Sequence, residues 1–294
     1  ETLARWFSGG RHAPEPPSAA ERARLAARDA SAAPAGVRLD LPDALVAPLR
    51  ESLGEGADAA LLRLGARAPV DLRANLLRGD REAAAAALAD EGIETRPVAL
   101  APTALRVLSG ARALRRSRAF AEGRVEVQDA ASQAAAAFAA ARPGERALDF
   151  CAGGGGKALA LAAAGAEVTA HDADPARMAD LPARAARAGA RIDLARRPEG
   201  AFDLVLVDAP CTGSGAWRRN PDAKWATGPE RLARLAAAQA EALDAAARFT
   251  RPGGRLVYLT CSLLAAENEA AVAGFLARAP GFRETARARW DRLE

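Results

Sequence analysis

From residue 123 onward, short apolar runs alternate with longer segments whose apolar residues recur on a helical period. The runs RALDF (146–150), EVTAHD (167–172), FDLVLVD (202–208) and RLVYLTC (255–261) read as strands, and RIDLA around residue 193 as a weaker one. FDLVLVD is nearly all apolar, as expected for a strand covered on both faces of its sheet. Between the runs, KALALAAAG, PARMADLPARAARAG, a long stretch over 229–249 and LAAENEAAVAGFLARA read as helices, the second interrupted at Pro182. PGG ahead of RLVYLTC predicts a turn. Strand–helix alternation of this kind predicts an α/β fold with a doubly wound parallel sheet. In such sheets ligands bind beyond the carboxyl ends of the strands.

Upstream the pattern changes. Over 61–122, VDLRANLL and IETRPVAL read as strands flanking the helix DREAAAAALADEG. This β-α-β pattern is built like the small RNA-binding sandwiches but lacks their stacking aromatics. RALRRSRAF is basic enough to meet phosphate, and a plain solvated surface fits it equally. Over 1–60, SAAERARLAARDA carries a capping-box pattern, Ser18 with Glu21, and LPDALVAPLRESLG reads as a second helix. The arginines there form either a solvated face or an RNA-facing one. The expected organisation is a helical segment over 1–60, a small α/β RNA-binding domain over 61–122 and a Rossmann-like domain over 123–294.

Composition narrows the setting. Half of the 294 residues are hydrophobic but only 4% are aromatic, so many thin alanine-rich helices and a modest core are expected. The net charge of +4 is compatible with a polyanionic partner. No apolar run approaches the roughly 20 residues of a membrane span. The opening ETLARWFSGG has no signal-peptide core, and its lack of a methionine suggests trimming. Three cysteines without framework spacing predict a reducing, cytoplasmic setting. A monomer is expected, and no metal-ligand set is read. Only two of the 41 basic residues are lysines, Lys157 and Lys224, and the asparagines are Asn75, Asn220 and Asn268. Both lysines fall in motif-like segments.

Cys151, Cys211 and Cys261 each follow a predicted strand end, so all three are expected to open onto one crevice. The loop CAGGGGK, comprising Cys151, Ala152, Gly153, Gly154, Gly155, Gly156 and Lys157, lets the backbone approach a ligand and presents amide N–H groups at a helix start. No Ser or Thr follows Lys157, which excludes a Walker A motif. Asp172, ending the next strand, is a candidate ligand for the ribose hydroxyls of a nucleoside cofactor, or else a helix cap. These features suit a dinucleotide or S-adenosylmethionine alike. The downstream thiols separate the two, because hydride transfer needs none and methylation at carbon 5 of a pyrimidine does. A thiolate adding to carbon 6 makes carbon 5 nucleophilic, splitting one hard step into easier ones. The thiol must first lose its proton, which nearby positive charge favours. Asp208 is placed to hydrogen-bond the ring nitrogen or exocyclic amine. The residues alone leave open which thiol attacks.

LDFCAGGGGK, DAPCTGSG, RRNPDAKW and YLTCSLLAAENEAAV, in this order, together resemble the Nop/Sun/RsmB family of RNA 5-methylcytosine methyltransferases over roughly residues 61–290. The resemblance implies a Rossmann-like class I methyltransferase domain preceded by a small RNA-binding domain, with S-adenosylmethionine as cofactor and RNA, the small-subunit ribosomal RNA, as partner. It implies that Cys261 is the nucleophile and that Cys211 serves product release. It puts Asp208 near cofactor and base, Asp172 on the ribose, Lys157 at the cofactor loop and Lys224 close to the active site. The chain departs from the family's C-A-A-P-G-G-K-T at Gly153, Gly154 and Ala158, which predicts a floppier loop. Arg196 stands about where the family has an adenine-side aspartate, and Asp193 is expected to face elsewhere. No fused antitermination-factor-like domain is visible, and GFRETARARWDRLE stops where the family continues into a closing strand, predicting a sheet without its edge or a shortened chain. These departures motivate a second reading, an RNA-binding ribosome-assembly factor of the same fold with weak or no methyltransferase activity.

Overall fold

The computed structural model describes residues 7–11, 13–27 and 30–290, and two β-sheets organise them. Ahead of the first sheet come helices α1 (Ala19–Ala26), α2 (Ala35–Leu39), α3 (Asp43–Leu53) and α4 (Ala57–Arg63). The Ser18–Glu21 capping box forms as its spacing predicts, yet α1 buries nothing. The next three helices do the packing. Leu39, Leu45, Leu49 and Leu61 form a cluster with Trp217 and Leu264, two residues from loops of the distant second sheet. The helical segment is therefore a brace against those loops.

The first sheet follows the succession β1 (Asp71–Ala74), α5 (Arg81–Ala89), β2 (Thr95–Pro97), β3 (Ala104–Val107), α6 (Arg118–Ala121), β4 (Val125–Val127). All pairings are antiparallel, in the order β2-β3-β1-β4. This is the β-α-β-β-α-β arrangement. Leu72, Leu88, Ile93, Leu105 and Val125 form its core, while Ala104 packs with Ala130 and Ala134 of the helix that follows the sheet. The sequence pattern shows the first β-α-β portion. The strands β3 and β4 are too short to establish a period of their own, and β4 completes the sheet just past residue 122, where the sequence places the boundary.

The second sheet comprises β5 (Arg146–Asp149), β6 (Glu167–Ala170), β7 (Ile192–Leu194), β8 (Phe202–Asp208) and β9 (Thr250–Leu259), all parallel, in the order β7-β6-β5-β8-β9. Helices α7 (Ala130–Phe138), α8 (Gly156–Ala163), α9 (Leu181–Ala188), α10 (Asp222–Trp225), α11 (Pro229–Ala247) and α12 (Glu269–Arg278) complete the layers. Leu204 and Leu206 face one apolar cluster while Phe202, Val205 and Val207 face the other, which is why FDLVLVD has no polar face. Pro182 starts α9 rather than interrupting a longer helix, since the first turn needs no donor at that position. The predicted PGG turn is instead absorbed into β9, where the pairing with β8 shifts register between Phe202 and Leu204. Among the described residues β9 is one edge of this sheet. Strand order reverses about β5 and β8, so the crevice between their carboxyl ends is where a ligand belongs.

The two sheets are tied together. Asn75 donates from Nδ2 to the carbonyls of Gly123 and Ala188, both at 2.8 Å. Glu126 of β4 pairs with Arg184 at 3.1 Å and also with Arg187, which lies over the Phe120 ring. Gly123 allows this approach, because a Cβ at its φ of +68° would sit 2.0 Å from the Arg187 carbonyl oxygen.

Candidate active site

At the crevice, β5 ends in Asp149, and residues 151–156 turn the chain into α8. Gly153 and Gly155 take positive φ, +49° and +80°. A Cβ at Gly155 would lie 2.1 Å from the Leu181 side chain, so any larger residue there would have to displace it. The loop is less free than its glycines suggest. Gly154's carbonyl accepts from Arg184, and Gly156's accepts from Arg73 of the first sheet at 2.5 Å. Arg73 is buried, which lowers its pKa to about 10. Two guanidinium groups thus hold the carbonyls, where the resemblance predicts floppiness.

Asp172, 3% exposed, accepts from the N–H groups of Gly153 at 2.9 Å and Asp174 at 3.0 Å, and pairs with Arg177 at 3.2 Å. It organises the glycine loop, and its remaining lone pairs are what a sugar could use. Lys157 donates to Asp208 Oδ2 at 2.5 Å, linking the loop to the end of β8. Asp149 is 1% exposed and neither carboxylate oxygen has a hydrogen-bond partner. Burial, helped by the Asp208 charge, pushes its pKa up to about 7. In sequence Asp149 is one residue of the strand run RALDF, and Arg73 and Arg184 carry no motif. Asp193 and Arg196 are both exposed.

The thiols divide. Cys151 packs among Phe150, Val205 and Val207, and burial, reinforced by the Asp149 charge, pushes its pKa up to about 12. It is a packing residue with its backbone in the loop. Cys211 and Cys261 come together, with their Sγ atoms 3.4 Å apart. Cys261 is exposed and Cys211 partly so. Their contact pulls the Cys261 thiol down and pushes Cys211 up, because a protonated Cys211 donates to a Cys261 thiolate. Lys157 also favours that thiolate, while Asp208 opposes it. Gly213 and Gly215 flank the pair, and a Cβ at Gly215 would lie 3.1 Å from the Cys261 carbonyl oxygen.

Lys224 lies elsewhere in the hydrogen-bond network. It is 6% exposed, pairs with Asp40 and stands over the Trp225 ring. Among the described residues it forms no ion pair with Asp208. Its neighbourhood is a shallow cavity of about 330 Å³ lined by Val37, Asp40, Leu41, Pro42 and Trp225. The sequence expectation gave no hint of Asp40, because the two residues are far apart in the chain.

A parallel sheet with this strand order, a glycine loop after its first strand and a β-α-β-β-α-β unit ahead of it define a Rossmann-like methyltransferase fold with a ferredoxin-like domain on its N-terminal side. Residues 136–291 match the family model of the 16S rRNA methyltransferase RsmB/F, and residues 41–113 that of the RsmF/B-like ferredoxin-like domain. The chain belongs to this family. It is 39% identical over 225 residues to a ribosomal RNA small subunit methyltransferase B of Salmonella arizonae, covering 73% of this chain and 52% of that protein. Against the Citrobacter koseri protein of the same name it is 36% identical, covering 81% of this chain and 58% of the relative. The chain thus spans little more than half the length of these curated relatives. In structure it is similar to PH0851, with a TM-score of 0.76, 29% identity and coverage of 91% of this chain and 61% of that one. NSun6 from Pyrococcus horikoshii, solved with SFG, shares the fold at a TM-score of 0.71, with 19% identity over 81% of this chain and 88% of that one. Among the described residues no helix is long and apolar enough to cross a membrane.

Proposed function

We propose that this chain transfers a methyl group from S-adenosylmethionine to carbon 5 of a cytosine in small-subunit ribosomal RNA, through a covalent adduct on Cys261. The observation that carries the reading is the 3.4 Å approach of Cys211 and Cys261 beside the Lys157–Asp208 pair. Membership of the RsmB/F family supports ribosomal RNA as the substrate.

The residues present fit the cofactor. The backbone of Cys151–Gly156 offers amides, Asp172 has lone pairs to spare, and Asp149 brings two buried oxygens without partners. Bound there, S-adenosylmethionine supplies an electrophilic methyl group next to the thiols. The chain's own residues do the rest. Cys261 adds as thiolate to carbon 6, forming an S–C bond and shifting the ring's electron pair so that carbon 5 becomes nucleophilic. Lys157 and the Cys211 S–H stabilise the thiolate beforehand. Asp208 accepts a hydrogen bond from the exocyclic amine of the base as charge shifts. Once carbon 5 is methylated, its proton leaves to a base, the S–C bond breaks and the electron pair returns to Cys261. Cys211 is assigned to this release. The base must reach the crevice flipped out or unpaired, since stacking hides carbon 6. Lys224, tied to Asp40, is assigned to holding the helical brace against the active-site loops.

Transfer of tritiated methyl groups to unmodified small-subunit ribosomal RNA tests the reading. Cys261→Ala is expected to abolish transfer, and Cys211→Ala to accumulate an RNA–protein adduct that survives denaturation. Transfer by Cys261→Ala at the normal rate would refute the nucleophile.

A further inference from the structure

We propose that Glu267 is a positioning residue, a carboxylate clamp that holds the loop after β8 and the loop after β9 in one register and so sets the distance between Cys211 and Cys261. This rests on the roles given to the two thiols above.

Glu267 closes a short 3-10 turn, Ala265–Glu267, ahead of α12, and is 1% exposed. One of its oxygens accepts from the Thr212 N–H at 2.8 Å and from Gln239 Nε2 of α11 at 3.1 Å. The other accepts from the hydroxyls of Thr212 and Ser262, each at 2.5 Å. Thr212 directly follows Cys211, and Ser262 directly follows Cys261. A single side chain therefore grips the residue next to each thiol. Gln239 also donates to the Pro210 carbonyl at 2.9 Å, so α11 holds the first loop from its other side. Asn268 secures the second loop, donating to the carbonyls of Ser262 and Leu264 at 3.0 Å and accepting from Thr260 at 2.5 Å.

The chemistry of the contacts matters more than their number. All four groups facing the carboxylate donate, and among the described residues no lysine or arginine pairs with it. Burying a carboxylate this way is costly unless hydrogen bonds replace water. Charge-assisted bonds are short and directional, so they fix geometry better than packing would. Two loops that leave adjacent strands have no backbone ladder between them beyond Asp208 and Leu259. Past that point, side chains must set their register. Further cross-links, Gly215 N–H to the Cys261 carbonyl at 2.9 Å, Leu263 N–H to Ser214 at 2.7 Å and the Ser214 and Ser262 hydroxyls at 3.1 Å, lie further along the first loop. Glu267 holds the residue adjoining Cys211 through both its N–H and its hydroxyl, and the Ser262 hydroxyl lies 3.3 Å from that same hydroxyl.

Glu267→Gln tests the clamp in the full chain. Glutamine keeps the shape, and its amide can face the two hydroxyls, which can turn to accept, so the fold survives while the charge-assisted bonds are lost. With unmodified small-subunit ribosomal RNA, kcat is expected to fall about ten- to a hundredfold, the scale of a small misplacement of reacting groups. KM for S-adenosylmethionine should stay within about twofold, because the clamp does not touch the glycine loop. A loosened Cys211 should also let the RNA–protein adduct build up with both thiols intact, which general destabilisation would not produce. Thr212→Val, which removes one hydroxyl and keeps the N–H contact, should show the same pattern more weakly and serves if Glu267→Gln fails to fold. Normal kcat with no adduct in a folded Glu267→Gln would overturn the clamp. If instead Cys261→Ala remained active, the thiol assignment itself would fail, whatever Glu267 did.

Discussion

Residue chemistry separates three cysteines that look alike in sequence. Each follows a strand, yet burial among apolar neighbours pushes the Cys151 thiol up, whereas the Sγ atoms of the other two lie 3.4 Å apart and their contact pulls Cys261 down and pushes Cys211 up. Since Cys211 donates to Cys261, removing the donor should raise the Cys261 pKa. Iodoacetamide labelling of the Cys261 peptide, followed by mass spectrometry across pH, is expected to show an inflection below the ordinary thiol value of 9.0 in the native protein. In Cys211→Ala the inflection should move up, so labelling at pH 7 slows. An unchanged profile would mean that the pair does not share the proton. Asp149 gives a second prediction. Its folded pKa of about 7 stands above the ordinary 3.8, so between these values the folded state holds the proton more tightly than the unfolded chain. Raising pH through this window therefore destabilises the native protein, by on the order of 4 kcal/mol at most. Asparagine has no proton to lose. Without added cofactor, the melting temperature of Asp149→Asn relative to the native protein should climb between pH 5 and pH 8. A constant difference would show that Asp149 is not held neutral.

At the scale of elements, the strands that matter were legible because they are buried on both faces and read as continuous apolar runs. FDLVLVD is the clearest, and its partners followed from alternation with helices. What escaped was whatever depends on contacts distant in sequence. The strands β3 and β4 become visible only as neighbours of β1, and the brace of α2 to α4 against Trp217 and Leu264 has no local signal. Of the candidate site, the glycine loop and the two converging thiols were legible through their place after strands. Asp40, Arg73, Arg184 and the clamp around Thr212 were not, since each acts through a partner that the chain brings back from afar. The glycine loop shows how context overrides composition. At Gly155, alanine would combine a left-handed φ with collision against Leu181, at an expected cost of about 2 to 5 kcal/mol. At Gly153 the nearest atom is the mobile end of Arg177, 3.4 Å away, and alanine should cost about 1 kcal/mol, mostly from φ. Urea unfolding of the two variants separates them, and equal losses would mean that the loop is not built against α9.

Across the whole molecule, both sheets contribute to one crevice. Arg73 reaches from the first sheet to the Gly156 carbonyl, and Glu126 takes both Arg184 and Arg187, so the ferredoxin-like unit buttresses the glycine loop as well as carrying its own surface. That surface includes Arg112, Arg115, Arg116 and Arg118, all exposed on one short segment. With a net charge of only +4, overall attraction for a polyanion is weak, so the proposed RNA substrate requires a local cluster for its grip. Each phosphate met by such a side chain adds about 0.7 to the slope of log affinity against log salt for single strands. If Arg115 and Arg116 each meet one, replacing both by alanine lowers the slope by about 1.4. Neither reaches the glycine loop in the hydrogen-bond network, so binding of S-adenosylmethionine should not change. Filter binding of small-subunit ribosomal RNA from 50 to 300 mM salt, at about the range where counterion release dominates, measures the slope. A shallower slope with intact cofactor affinity places the RNA on this face of the first sheet. An unchanged slope moves the proposed RNA path to the other basic surfaces, and with it the direction from which the proposed target base would approach Cys261.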